Sequence, residues 1–145
     1  MTDVLILNGP NLNLLGTREP DVYGTTTLND IENECIKEGK RLGLSVSCKQ
    51  SNHEGELVTA LQDAGASGTW VIFNSGAYTH TSVALPDAIS GSNCKVIEIH
   101  ISNVHARESF RHHSYISPVA QGTIVGFGAY GYILALQAIA EQTKA

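Results

Sequence analysis

The sequence predicts an α/β fold built on a parallel sheet, because short apolar runs alternate with segments of helical periodicity. The runs have the length of buried strands, and the segments between them are long enough for helices. Predicted strands are Val4–Asn8, Leu44–Gln50, Thr69–Asn74, Lys95–Ile99 and Gly122–Phe127. Predicted helices are Leu28–Leu42, Glu54–Ala64, Thr81–Ser90 and Tyr130–Gln142.

The number of strands and the chain length select a particular sheet. A chain of 145 residues favours five strands over six in a doubly wound sheet. We therefore expect a flavodoxin-like three-layer sandwich with parallel strands in the order 2-1-3-4-5. In such sheets ligands bind beyond the carboxyl ends of the strands, so functional residues are expected there.

Capping residues and apolar faces support the helices. Thr27 stands three residues before Asp30, and Ser51 three residues before Glu54, which predicts a capping box at each of the first two helix starts. Apolar residues recur three or four positions apart, as on one side of a helix. The inward residues are expected to be Leu28, Ile31, Cys35 and Leu42 in the first helix, Leu57, Val58 and Leu61 in the second, and Ile133, Leu136 and Ala140 in the fourth.

Composition restricts the class of protein. With 42% hydrophobic residues the chain is expected to form one globular catalytic domain, 1–145. A net charge of −5 without a basic cluster argues against nucleic-acid binding. No apolar run reaches the roughly 18–20 residues of a membrane span. Because Cys35, Cys48 and Cys94 stand far apart, we expect reduced thiols in a cytoplasmic protein.

The segment after the first strand is long for a strand-to-helix connection. It covers Asn8–Gly24 and contains three Gly and two Pro, so it cannot be the interior of a helix. Ordinary connections of this kind have about 2–6 residues, and longer ones are commonly lids or binding loops. Arg18 and Tyr23 both lie in this segment.

An arginine beside a tyrosine can make its hydroxyl a base. Lowering a tyrosine pKa from about 10 to about 7 requires roughly 4 kcal/mol. One positive charge about 4 Å away supplies about that much at an effective dielectric of about 20. Arg18, helped by a second cation such as Arg107, could therefore keep Tyr23 ionised at neutral pH. The alternative is that Tyr23 packs through its ring and Arg18 is an ordinary surface charge.

Polar side chains also follow the third and fourth strands, where Asn74, His80, His100 and Arg111 are found. Glu98 and His100 are two residues apart in a strand, so their side chains point to the same face. A carboxylate in that position orients the imidazole, which suits a general acid; the alternative is a surface pair. The whole set suits proton transfer on a polyhydroxylated anion better than hydrolysis or redox chemistry.

Three other motifs are weaker. Gly126–Gly131 has dinucleotide-loop spacing, but no strand with an acidic residue follows it. Asn74–Gly76 lacks the first glycine of a nucleophile elbow. The histidines between positions 100 and 113 match no standard zinc spacing.

These segments together resemble the type II 3-dehydroquinate dehydratases (type II dehydroquinases) along nearly the whole chain. Their order and spacing make the resemblance more specific than any one motif. One departure is Ser75, where the family commonly has Pro; a serine there loosens the turn but removes no functional group. The segments that carry the resemblance are Asn8–Gly16, Arg18–Pro20, Tyr23–Gly24, Gln50–Gly55, Gly76–Ser82 and Glu98–Glu108.

The resemblance implies a lyase that converts 3-dehydroquinate to 3-dehydroshikimate and water, without a metal or organic cofactor. The reaction is an anti elimination through an enolate and serves aromatic amino acid biosynthesis or quinate catabolism. Tyr23 as tyrosinate takes the proton from C2, while Arg18 and Arg107 assist it. Asn11 positions a water that holds the enolate oxygen.

By the same resemblance His100 protonates the leaving C1 hydroxyl and Glu98 orients it. Asp87 matches the residue that the family inserts from a neighbouring subunit of a dodecamer, a tetramer of trimers. The residues that would hold the substrate's carboxylate and hydroxyls are Asn74, His80, Ile101, Ser102 and Arg111.

Two alternatives remain open from the sequence. A Schiff-base route to the same products would need a desolvated lysine, and the lysines look peripheral. A non-enzymatic flavodoxin-like module that binds FMN or another phosphate ligand would share the fold, although no phosphate-loop pattern is present.

Overall fold

The computed structural model describes residues 1–17, 21 and 24–144. Arg18 and Tyr23, the proposed cation and base, lie outside the described residues. Five parallel strands form one sheet in the order β2-β1-β3-β4-β5, as the sequence predicts. The strands are β1 (Thr2–Asn8), β2 (Leu44–Gln50), β3 (Trp70–Asn74), β4 (Val96–His100) and β5 (Gly122–Val125).

The described chain has four α-helices, of which three join consecutive strands and the fourth follows β5. Two of them, α1 (Leu28–Leu42) and α4 (Tyr130–Gln142), have the predicted bounds, whereas α2 (Glu54–Ser67) extends three residues further. The remaining helix, α3 (Ala84–Ser92), begins three residues later than predicted. The buried Ser82 side chain accepts the N–H of Leu85 at 3.1 Å, so Ser82 lies before the helix rather than within it. None of the described helices is long and apolar enough to cross a membrane.

Of the two predicted capping boxes, one is present and one is wrong. Thr27 accepts the N–H of Asp30 at 3.1 Å, and the Asp30 carboxylate accepts the N–H of Thr27 at 3.0 Å. Ser51 does not cap α2, whose N-cap is His53. The backbone N–H of Ser51 donates to the carbonyl of Asn8 at 3.0 Å, which ties Ser51 to the sheet edge, and its hydroxyl bonds Glu56 instead.

The core lies on both faces of the sheet. Side chains alternate along β1, so Val4 and Ile6 face α1 and α4, whereas Leu7 faces α2 and α3. The predicted inward residues of α1 and α2 are buried or packed against the core. In α4 the structure buries Tyr132, Ala135, Leu136 and Ile139 completely, while Ile133 and Ala140 are only half-buried.

The three cysteines are free thiols. Burial raises the pKa of Cys35 to about 12. It also raises the pKa values of Cys48 and Cys94 to about 11. Thiolates are the reactive form of cysteine, so these three side chains are inert packing groups at neutral pH.

Strand alternation also sorts the polar residues at the carboxyl edge. Asn8 and Asn74 are register partners at the ends of β1 and β3, two residues beyond Ile6 and Ile72, so they point to the α1/α4 face. Glu98 and His100 alternate with isoleucines of that same core and therefore point to the opposite face. The edge thus carries polar groups from both sides of the sheet.

Helices α2 and α3 pack closely because Gly65 has no side chain. A Cβ at Gly65 would lie 2.5 Å from the backbone oxygen of Ser92, whereas one at Gly55 in the same helix would meet nothing within 4 Å. We expect Gly65→Ala to lower the free energy of unfolding by about 1–3 kcal/mol through overpacking. Gly55→Ala should raise it by about 0.5–1 kcal/mol, since alanine favours the helix. Chemical denaturation of both variants measures this, and equal effects would contradict it.

Candidate active site

A pocket opens at the carboxyl edge of the sheet, between the segments that follow β1, β3 and β4. Eight of the twelve residues predicted for the site line it. Amide, imidazole, hydroxyl and guanidinium groups are therefore gathered in one cavity. The eight residues are Asn11, Asn74, His80, His100, Ile101, Ser102, Arg107 and Arg111.

Of the other four predicted residues, Glu98 and Asp87 are described, and neither lines this pocket. Glu98 stands behind His100 and lines a neighbouring cavity. Asp87 is exposed in the first turn of α3 and is not among the described residues around the pocket. Arg18 and Tyr23 belong to the part of the chain that the structure does not describe.

The chain after β1 is held against the chain after β3. Gly9 donates its N–H to the carbonyl of Asn74 at 2.8 Å, and a Cβ at Gly9 would lie 2.7 Å from the backbone oxygen of Ser75. Only glycine permits this approach. Ser75, the departure from the family, is buried and bonds the hydroxyl of Thr79, so it still ties the turn together.

Asn11 enters the pocket from an uncommon backbone conformation. Its φ of 69° lies in the left-handed region, which asparagine tolerates better than most residues. Its N–H donates to the side-chain oxygen of Asn52 at 3.0 Å. The backbone of Asn11 is thus fixed by neighbouring residues while its side chain remains exposed at the pocket.

Glu98 and His100 form a buried pair. The imidazole Nε2 lies 2.7 Å from a carboxylate oxygen of Glu98, and their side chains are 8% and 1% exposed. The surface-pair alternative is therefore wrong, because strand β4 carries both side chains inward. Since a carboxylate can only accept, Nε2 carries a proton and the other ring nitrogen, Nδ1, is the one able to act on a ligand.

Three hydroxyl groups complete the surroundings of the Glu98 carboxylate. Ser114 donates to the same oxygen as His100 at 2.7 Å. Ser117 and Thr123 donate to the other oxygen, Thr123 from 3.2 Å. Burial opposes the ionised form, but the hydrogen bonds from His100, Ser114 and Ser117 outweigh it and hold the pKa of Glu98 below its usual value. Glu98 is therefore a fixed anion.

Sequence reasoning missed these hydroxyl residues. Ser114 and Ser117 lie in an irregular segment, and Thr123 reaches Glu98 only because β5 pairs with β4 in the register Glu98–Thr123. Serine and threonine are common outside such sites. The available signal was indirect: a glutamate in an otherwise apolar strand needs hydrogen-bond donors from its neighbours.

His80 differs from His100 in its partner. Its Nδ1 lies 2.7 Å from the backbone carbonyl of His113, so Nδ1 carries the proton and Nε2 is an acceptor in the neutral ring. Burial, together with the nearby His100 and Arg111, lowers the pKa of His80. His80 is thus suited to accept a hydrogen bond from a hydroxyl of a ligand.

Two arginines give the pocket positive charge. Arg107 reaches the hydroxyl of Ser102 at 3.4 Å, and Arg111 is held by Glu108 at 2.9 Å. The carbonyl of Ile101 accepts the N–H of Gly128 at 3.0 Å, which ties the end of β4 to the turn before α4. The pocket can therefore bind an anion that also carries hydroxyl groups.

Neither a lysine nor a metal cluster marks this pocket. All five lysines of the chain are exposed and none lines it. Among the residues described, no group of three His, Cys, Asp or Glu side chains could hold a metal ion. In the segment with dinucleotide-loop spacing, Gly126 and Gly128 serve backbone geometry, since their φ values are 93° and 64° in the turn between β5 and α4.

Comparison with known proteins gives consistent matches. Residues 2–140 match the family model described as dehydroquinase class II. A 3-dehydroquinate dehydratase of Ruegeria pomeroyi is 60% identical over 140 residues, covering 97% of this chain and 94% of the relative.

Solved structures give the same result. The type II dehydroquinase of Propionibacterium acnes superposes with a TM-score of 0.94 and 43% identity, covering 97% of both chains. The type II dehydroquinase of Butyrivibrio crossotus gives a TM-score of 0.92 and 44% identity over 95% of this chain and 97% of that one.

Replacing Glu98 with Gln turns one carboxylate oxygen, which accepts hydrogen bonds, into an NH₂ group, which donates them. This NH₂ group would face the imidazole or hydroxyl donors that now bond the carboxylate. We expect Glu98→Gln to lower the free energy of unfolding at neutral pH by about 2–4 kcal/mol. Because its hydrogen bonds hold the folded-state pKa of Glu98 below the ordinary value of a glutamate, the stabilisation is present above that ordinary value and is lost as the pH falls through the folded-state pKa. The difference from wild type should therefore narrow in acid.

Urea unfolding at neutral pH and at a series of acidic pH values measures both effects. Glu141→Gln, in an exposed ion pair with Lys144, is the matched control and should change stability little. A difference for Glu98→Gln that widens in acid would contradict the assignment of Glu98 as a buried anion.

Proposed function

The chain belongs to the class II dehydroquinase family, and from this premise we propose how its residues carry out the reaction. Its activity is that of a type II 3-dehydroquinate dehydratase, a hydro-lyase of the shikimate pathway. We further propose one catalytic domain that acts in the cytoplasm, which the free cysteines support.

Tyr23 is the proposed base. As a tyrosinate it takes the proton from C2 of 3-dehydroquinate, and the electrons of that bond form an enolate with the neighbouring ketone. Arg18 stabilises the tyrosinate. Arg107, which lines the pocket, adds a second positive charge, and Asn11 positions the water that donates to the enolate oxygen.

His100 is the proposed acid, and its contact with Glu98 decides which proton it gives. Nε2–H stays with the Glu98 carboxylate, so the proton on Nδ1 goes to the C1 hydroxyl. The enolate collapses, the C1–O bond breaks and water leaves, while a C1–C2 double bond forms. To restore the starting state, the phenol of Tyr23 then releases a proton to solvent and the neutral imidazole of His100 takes one up.

The remaining residues bind the substrate. The backbone and hydroxyl at Ile101 and Ser102, together with Arg111, supply donors for the carboxylate. His80 accepts from a ring hydroxyl through Nε2, and Asn74 contacts another oxygen. The exposure of all five lysines disfavours the Schiff-base alternative, which needs a desolvated amine.

The observation that carries this proposal is the buried Glu98–His100 pair at a pocket lined by eight predicted residues. The direct test is the growth of enone absorbance when 3-dehydroquinate is added to the purified protein, with and without a chelator. Borohydride added with substrate should leave activity intact. Inactivation by borohydride would favour the Schiff-base route.

Tyr23→Phe tests the base. The variant should fold normally and lose at least about 100-fold in kcat, since it removes the group that takes the proton. Tyr130→Phe is the matched control: Tyr130 is 56% exposed at the start of α4 and should keep full activity. Near-normal turnover of Tyr23→Phe in the enone assay would reject the assigned base.

Asp87 is proposed to reach the pocket of a neighbouring subunit in a dodecamer of four trimers. Its exposure outside the pocket of its own chain supports this. Asp87→Ala and His100→Ala oligomers should each be weakly active. When the two variants are co-expressed they should form mixed oligomers, in which about a quarter of the active sites contain both an intact His100 and an intact Asp87 from the neighbouring subunit. The activity of these hybrids should rise above that of either parent. Hybrids without this gain would contradict a shared site.

A further inference from the structure

Three buried polar side chains connect α4 to two strand ends. Asn74 Nδ2 donates to the hydroxyl oxygen of Tyr132 at 3.2 Å. That hydroxyl in turn donates to Asn8 Oδ1 at 2.5 Å. Asn8 and Tyr132 are 0% exposed and Asn74 is 4% exposed. Of the three, only Asn74 is among the described residues that line the pocket.

The direction of this chain of hydrogen bonds is fixed at both ends. The N–H of Gly76 donates to Asn74 Oδ1 at 3.1 Å, which leaves Nδ2 for the Tyr132 side. Burial raises the pKa of Tyr132 far above its usual value, so its hydroxyl stays protonated. It donates that hydrogen to Asn8 Oδ1 in a hydrogen bond. The lone pairs of the hydroxyl then face Asn74.

One polar atom of Asn8 has no partner. Its Nδ2 is the one buried side-chain N or O atom without a hydrogen bond that is found in the described part of the chain. Rotating the amide would place Nδ2 against Tyr132, and the hydroxyl would then face two donors with no acceptor for its own proton. The Asn8 amide is therefore oriented so that the Tyr132 hydroxyl can accept from Asn74, and the unsatisfied Asn8 Nδ2 is a consequence of that orientation.

From this geometry we propose that Tyr132 and Asn8 are positioning residues that aim one amide N–H of Asn74 at an oxygen of the substrate. Asn74 Nδ2 has two N–H groups; Tyr132 accepts one, and the second is available to the pocket. The inference rests on the proposed function of the pocket. It adds that a residue of α4, Tyr132, sets the orientation in which Asn74 binds the substrate.

Tyr132→Phe tests the hydroxyl alone, because the ring still fills the core. Without its acceptor, the Asn74 amide can rotate, and KM should rise about threefold to tenfold. The change in kcat should stay within about twofold, since Asn74 holds substrate and transition state alike. Ile139→Ala, a fully buried residue of the same helix, is the control: it should lower Tm with KM unchanged.

A double-mutant cycle tests whether the two residues act through one network. Asn8→Ala should raise KM as Tyr132→Phe does, and the combined variant should show no further rise. An unchanged KM in active Tyr132→Phe would overturn the proposal. So would fully additive effects, or the same KM change in Ile139→Ala.

A crystal structure of the wild type with a substrate-like inhibitor provides a second measurement if the variants fold poorly. Asn74 Nδ2 should lie within hydrogen-bond distance of both Tyr132 and a ligand oxygen. A side chain that leaves Tyr132 when the ligand binds would overturn the inference. A wild type without dehydratase activity would overturn the proposed function instead, and the inhibitor complex would still decide the role of Tyr132.

Discussion

The site depends on keeping one carboxylate charged inside the protein. Transfer of a carboxylate from water to a protein interior is costly unless donors replace the lost solvent. Glu98 has four donors: the imidazole of His100 and three hydroxyls from the 114–117 segment and β5. The requirement therefore links the pairing of β4 with β5, the path of the chain after His113 and the orientation of the His100 imidazole.

The parallel sheet divides the remaining work between its faces. Asn8 and Asn74 point to the side covered by α1 and α4, where Tyr132 orders them. Glu98 and His100 point to the other side. The pocket at the carboxyl edge therefore receives the Asn74 amide from one face and the His100 imidazole from the other, each fixed by its own buried network. Displacing one network need not disturb the other, because they lie on opposite faces of the sheet and share no residue.

Sequence reasoning reached the helices and the Glu98–His100 pair because they depend on local periodicity, and it reached the strand order because strand number and chain length select one doubly wound sheet. It failed at Ser51, where a long-range bond to Asn8 overrides a local capping pattern. It also missed Tyr132, because α4 is apolar on most sides and its pattern does not identify the buried face. Ser114, Ser117 and Thr123 are contacts across strands and turns, for which a single sequence carries little signal.

The two pocket histidines show how a backbone or side-chain partner assigns chemistry to one residue type. His80 donates to a carbonyl and lies close to His100 and Arg111, so a proton on its Nε2 would add uncompensated positive charge. The His100 ring instead has the Glu98 carboxylate at its Nε2, so positive charge on that ring would lie beside a negative one. With ring centroids only 6.4 Å apart, two imidazolium rings would repel each other. A neutral His80 avoids this repulsion and is therefore compatible with the acid role proposed for His100.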